Sequence, residues 1–271
     1  DVPEVSIEAA TDRVRAEWRA RIAAEYTSAA ITQHLTLWLL QAAAPPDLID
    51  AGLAIVADEL VHSRMSHEVY VAAGGTEAPR IIQAELGLHR RGTLVDDILH
   101  CAVRVFCLGE TVAVPLFSHL REHCSVPVAR AALDRILRDE VRHRDFGWDL
   151  LDWVCTREEA VPALVAPLLP AMMGELEASY GTGNPTVAGD TGEMTDAERA
   201  WGLAPPRDYA GVEREPEQPI GELSVDRVRA SGREWRAKRC RERRSHPGTV
   251  APAYGAGPSG SAGFSVSSRR A

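Results

Sequence analysis

Asp58-Glu59-Leu60-Val61-His62 and Asp139-Glu140-Val141-Arg142-His143 are the two stretches that decide the fold. Each is a Glu-x-x-His tetrad with an Asp directly in front. Each lies in a long, apolar-periodic, Pro-free segment, which predicts a helix. On a helix the i, i+3 spacing sets carboxylate and imidazole on one face, about a turn apart. A carboxylate with a neutral imidazole is a mixed oxygen and nitrogen donor pair suited to first-row metals. One such pair usually marks a solvated face; two, 81 positions apart, imply a two-centre site.

Working outward, each tetrad follows a helical segment with a lone Glu on its apolar face. Glu25 stands 34 residues before Glu59, and Glu110 stands 30 before Glu140. Glu110 and Glu140 lie at equal depth from the Cys124–Pro127 turn, and Glu25 and Glu59 at comparable depth from Ala44-Pro45-Pro46. In antiparallel neighbours joined by a short turn, residues at equal depth end up side by side. Glu17, the rival for the first position, sits two turns, roughly 12 Å, too far from the turn. The stripes around these residues are otherwise apolar: Leu99, Val103, Phe106, Ala113, Phe117 and Leu120 around Glu110, for example. A Glu buried in such a stripe needs a cation or a hydrogen-bonded partner.

The doubled tetrad with its two upstream Glu residues resembles the ferritin-like di-iron carboxylate superfamily over roughly residues 10–155. The resemblance implies an all-α, ferritin-like four-helix bundle holding two Fe. Glu25 and Glu110 would be terminal ligands, Glu59 and Glu140 bridging ones, and His62 and His143 one imidazole per iron. Asp58 and Asp139 would each receive the N–H of a ligand His, fixing its tautomer and orientation. Tyr26 is a candidate donor to the ligands or a radical relay. O2 would be the co-substrate, and the expected activity is oxidation of a small organic substrate by hydroxylation, N-oxygenation, desaturation or oxidative cleavage. A ferroxidase and a non-catalytic, metal-stabilised interaction module remain as alternatives. The small residues Ala23, Ala24, Ser28, Ala29 and Ala30 leave room for a substrate, while Phe106 and Phe117 either line a cavity or pack the core. No NAD or flavin fold is present, so electrons come from an external donor or the substrate itself.

Composition agrees. In 271 residues, hydrophobics are 45% and aromatics only 6%, which suits packed helices more than a sheet sandwich. Helices are predicted over about 7–42, 46–73, 94–122 and 127–155, with a crossover at 74–93 and a kink at Pro115. A fifth helix at 158–180 closes the domain of residues 1–180. Residues 181–244 read as an irregular arm, anchored by Glu198–Leu203 with Trp201. Residues 245–271, rich in Gly and Ser, read as a disordered tail. From residue 227 onward there are eleven Lys/Arg against two Glu, within a chain of net charge −9. Five Cys without paired spacing read as reduced thiols. No run of 18 apolar residues occurs, so no membrane span is expected. A cytoplasmic monomer or homodimer follows, without membrane or nucleic-acid partners.

Overall fold

The computed structural model describes residues 10–157, 165, 167–180 and 194–204. The chain divides into a unit of residues 1–229 and a second of residues 230–271, which lies wholly outside the described residues. The expectations for 1–9, 158–164, the rest of the arm and the tail also fall outside them.

Among the described residues the chain is helical and contains no strand. α1 (Asp12–Gln41) starts where Thr11 Oγ1 accepts the Val14 N–H. It stops before Pro45-Pro46, and Ala43 takes a positive φ of 52° in the turn. α2 (Pro46–Ala72) begins on a proline, whose missing N–H is one a first turn does not use. It ends at Gly74, φ 82°. The crossover contains a short 3-10 turn at Gln83–Glu85. It is pinned where Leu88 N–H donates to His34 Nδ1 and where Asp97 accepts the N–H groups of Arg91 and Gly92. A Thr93/Asp96 capping box then starts α3 (Leu94–Cys101).

α3 does not continue as a regular helix. Residues Ala102–Gly109 are π-helical, and Glu110 N–H bonds back to Val105 O before α4 (Glu110–Glu122) resumes. The expected irregularity at Pro115 therefore lies on the other side of Glu110, and Pro115 itself sits inside α4. α5 (Pro127–Arg157) packs closely here: a Cβ on Gly147 would lie 2.6 Å from Phe106 Cβ and 3.0 Å from Cys107 N. α6 (Leu169–Tyr180) is tied to the π segment by Arg104–Glu175 at 2.6 Å.

The stretch Leu94–Glu122 corrects one expectation. It is long and apolar enough, at mean hydropathy 1.5, to cross a membrane by length and composition alone. It packs against α5, α1 and α6, and 56% of that apolar window is buried inside the protein, which is how a core helix meets the same criterion.

The core falls into two apolar halves. Leu35, Leu39, Ile55, Phe106, Phe146 and Leu150 form one, toward the α1–α2 turn. Val14, Trp18, Val69, Leu120, Leu133 and Trp201 form the other, toward the α4–α5 turn. A short helix, α7 (Asp196–Ala200), is docked on this second end. Trp18 Nε1 donates to Trp201 O at 3.0 Å, Ser125 and Val126 N–H donate to Ala200 O, and Thr11 Oγ1 donates to Glu198. On α1, α2, α4 and α5, the residues lying between the two halves are the charged ones.

Candidate metal centre

Glu25 on α1, Glu59 and His62 on α2, Glu110 at the start of α4, and Glu140 and His143 on α5 are all buried and meet in that middle layer. Two overlapping groups could each hold a metal ion: Glu25, Glu59, His62 and Glu140, and Glu59, Glu110 and His143. Within each group the ligand atoms lie within 4.8 Å of one another, close to the roughly 4 Å that opposite ligands of one ion span. Glu59 belongs to both groups. Glu140 also faces both imidazoles, 3.9 Å from His62 Nδ1 and 3.3 Å from His143 Nδ1. The imidazole centroids are 5.8 Å apart.

The inward-facing atoms lack hydrogen-bond partners. Glu59 Oε2, His62 Nδ1, Glu140 Oε2 and His143 Nδ1 are buried and unsatisfied, and so is His143 Nε2 on the far side of its ring. His62 Nδ1 sits 3.5 Å from Glu59 and 3.7 Å from Glu25, too long for good hydrogen bonds. Several unpaired polar atoms converging on one point in a core are what a cation would satisfy.

Electrostatics agree. Burial, reinforced by Glu25 and Glu140 and opposed by His62, pushes Glu59 up to about 8. Burial and the negative charges of Glu140, Glu59 and Glu25 push Glu110 well above the usual carboxylate range. Burial alone would lower His62, but the Glu25 and Glu59 carboxylates outweigh it and raise the imidazole to about 11. Glu140 goes the other way: against its burial, His143 and Glu110 hold it below the ordinary range.

The two Asp residues are crossed between motifs. His62 Nε2 lies 3.1 Å from Asp139 on α5, while His143 Nε2 lies 3.6 Å from Asp58 on α2. Asp139 would be raised by burial, but Arg135, His62 and Arg142 hold it down to about 2. Arg135 bonds both Asp139 and Asp58, and Arg142 lies 2.7 Å from Asp58 and 3.0 Å from Asp139. Arg142 is thus part of this support. Arg135 was missed, although its spacing one turn before Asp139 marks an i, i+4 ion pair.

Tyr26 is corrected: it follows Glu25 by about 100° around the helix and is 42% exposed, so it faces solvent and not the cluster. Ser28, taken as merely small, donates its Oγ to Glu59 Oε1 at 2.8 Å. It stands three residues after Glu25, on the same face. Phe106 is fully buried against Phe146, with ring centroids 5.0 Å apart. Glu17 is outside the cluster, 3.3 Å from Arg21. A cleft of about 240 Å³ opens elsewhere, between Asp12, Arg15, Arg19, Tyr70 and Glu77, and none of the six candidate ligands lines it.

Comparison of the chain with protein-family models, curated proteins and solved structures finds no match.

Proposed function

We propose that this chain is a ferritin-like four-helix protein whose di-iron centre uses O2 to oxidise a small organic molecule. The observation that carries the proposal is the set of buried, unsatisfied ligand atoms on Glu59, His62, Glu140 and His143, gathered from α2 and α5 and completed by Glu25 and Glu110. Four carboxylates balance two divalent cations in charge, so binding would offset the burial and mutual repulsion that raise Glu59 and Glu110. Glu59 and Glu140, facing both halves of the site, would bridge; Glu25 and Glu110 would each complete one half. His62 and His143 would offer Nδ1, because Asp139 and Asp58 occupy the Nε2 sides.

Bound iron would supply two-electron chemistry with O2. The chain's residues exclude water from the layer, since all six candidate ligands are buried, and Asp139 fixes the His62 imidazole. In a hydroxylation, O2, two electrons and two protons give one C–OH and one water. The electrons would come from an external donor and the protons from solvent.

The test is anaerobic Fe(II) loading with metal analysis, followed by exposure to air. About two irons per chain, a finite burst of oxidation and a monomer or dimer support the proposal. A mineral core within a multi-subunit shell would support iron storage instead. Iron that binds but never reacts with O2, with or without added substrates, would leave a structural metal site.

A further inference from the structure

One turn above the ligand cluster, toward the α4–α5 end, two further buried polar atoms have no partner: Nη1 of Arg21 and Oγ of Ser66. Arg21 is 8% exposed and Ser66 0%. They stand on facing helices at matching depth. Ser28 touches Glu59 and Glu25 faces His62 across the α1–α2 seam. Three and then four residues back along α1, and three and then four onward along α2, lead from the first pair through the second to Arg21 and Ser66. The guanidinium lies 4.5 Å from the Trp18 ring centroid and 5.3 Å from that of Phe117, two turns past Glu110 on α4. α1 and α4 approach each other only sparsely here. The other terminal nitrogen, Nη2, reaches Glu17 at 3.3 Å.

A buried guanidinium N–H without an acceptor is destabilising, and at Nη1 neither the Glu17 ion pair nor the two aromatic faces supply one. Neither the proposed ligands nor the Asp and Arg residues behind them use it. We infer that Arg21 and Ser66 hold the carboxylate head of the organic substrate, an inference that rests on the di-iron proposal. Arg21 Nη1 and the Ser66 hydroxyl donate to the carboxylate oxygens. Phe117 and Trp18 flank the head group with apolar surface. One positive charge already shared with Glu17 suits a monoanion, so a phosphate dianion is disfavoured. The anchor lies about 6 Å along the helix axis from Glu25 and His62. A carbon three or four bonds from the carboxylate spans that distance and arrives at the cluster.

The experiment is calorimetric titration of anaerobic Fe(II)-loaded protein with benzoate and hexanoate, against benzamide, hexanamide and inorganic phosphate. Both acids should bind at least about tenfold more tightly than their amides, the loss expected when buried donors face an uncharged isostere. Arg21→Gln should abolish that preference, and Ser66→Ala should weaken it. Arg21→Gln should also keep both irons, because the ion pair it removes is with Glu17, outside the cluster. Equal binding of acid and amide, tighter binding of phosphate, or no binding of the acids overturns the inference while leaving the metal proposal intact. Unchanged acid binding in Arg21→Gln would place the carboxylate on the iron and overturns it too. If Arg21→Gln loses its fold, an unchanged preference in Ser66→Ala is the overturning result. Wild-type protein that takes up no iron would bring down both.

Discussion

His62 and Asp139, 77 residues apart and on different helices, are joined by a 3.1 Å contact between Nε2 and Oδ2. Asp58 stands behind His143 Nε2 at 3.6 Å, beyond hydrogen-bond length. Each motif's Asp therefore stands behind the other motif's imidazole, and the His62–Asp139 pair closes as a hydrogen bond.

Replacing Asp139 with Asn should weaken the ion held by His62, and replacing Asp58 with Asn the ion held by His143, by roughly 10- to 100-fold. Spectra of Co(II)-substituted variants resolve the two sites. A same-helix effect, with Asp139→Asn disturbing only the His143 site, would contradict the crossed arrangement. Glu17→Ala should leave metal affinity unchanged, since Glu17 contacts Arg21 and not the cluster.

Metal-free protein should lose stability as pH rises. Glu59 sits at about 8 against an ordinary 4.5, and His62 at about 11 against 6.5. Both bind protons more tightly folded than unfolded. The Glu59 penalty therefore grows from pH 4.5 to 8, and the His62 contribution is lost from pH 6.5 to 11. Between pH 6.5 and 8 the two act together. Metal replaces those protons, so loaded protein should hold its Tm across this interval and release protons on uptake. Thermal scans at the two pH values check this; a metal-free Tm that climbs with pH would refute it.

Gly147→Ala should destabilise by about 2 kcal/mol, within the range for overpacking. Its Cβ would meet Phe106 and Cys107 backbone atoms at 2.7 and 3.0 Å, which cannot rotate away. Denaturant titration measures the change. A stability equal to wild type would mean the π segment yields freely.

Trp201→Ala should cost about 3–5 kcal/mol, as for other large-to-small core changes. Trp201 is 1% exposed within the second apolar half. Glu198→Ala should cost about 1 kcal/mol, since it removes the capping partner of Thr195 and the acceptor of Thr11 Oγ1. The N–H and hydroxyl groups of Thr195, the Thr11 hydroxyl and Arg13 together outweigh burial and hold Glu198 below its ordinary range. Its share of stability should therefore fade on acidification and be absent in the Ala variant. Parallel melts of both proteins in acid test this.

The helices and the six clustered residues were legible because their signals are local. Tetrad spacing, apolar stripes and turn residues each act within a few positions. Glu25 prevailed over Glu17 by depth alone, and the structure sets Glu25 in the cluster. The π segment was not legible: Ala102–Gly109 is apolar at helical spacing, and its close neighbour Gly147 lies over 35 residues away in sequence. The crossed Asp contacts likewise depend on how α2 meets α5. Tyr26 and Ser28 could have been ordered correctly from sequence, because only Ser28 shares the face of Glu25.

The contact between Trp18 and Trp201 spans 183 residues, and it sets an order of events at the ribosome. Most partners of Trp18 on α1, α2, α4 and α5 are synthesised long before its lid arrives. A nascent chain that has not yet exposed residues 194–204 carries a seated pair of helical hairpins with one apolar end open. Chaperones and proteases would meet that end during synthesis, so the emergence of residues 194–204 decides whether the molecule passes quality control.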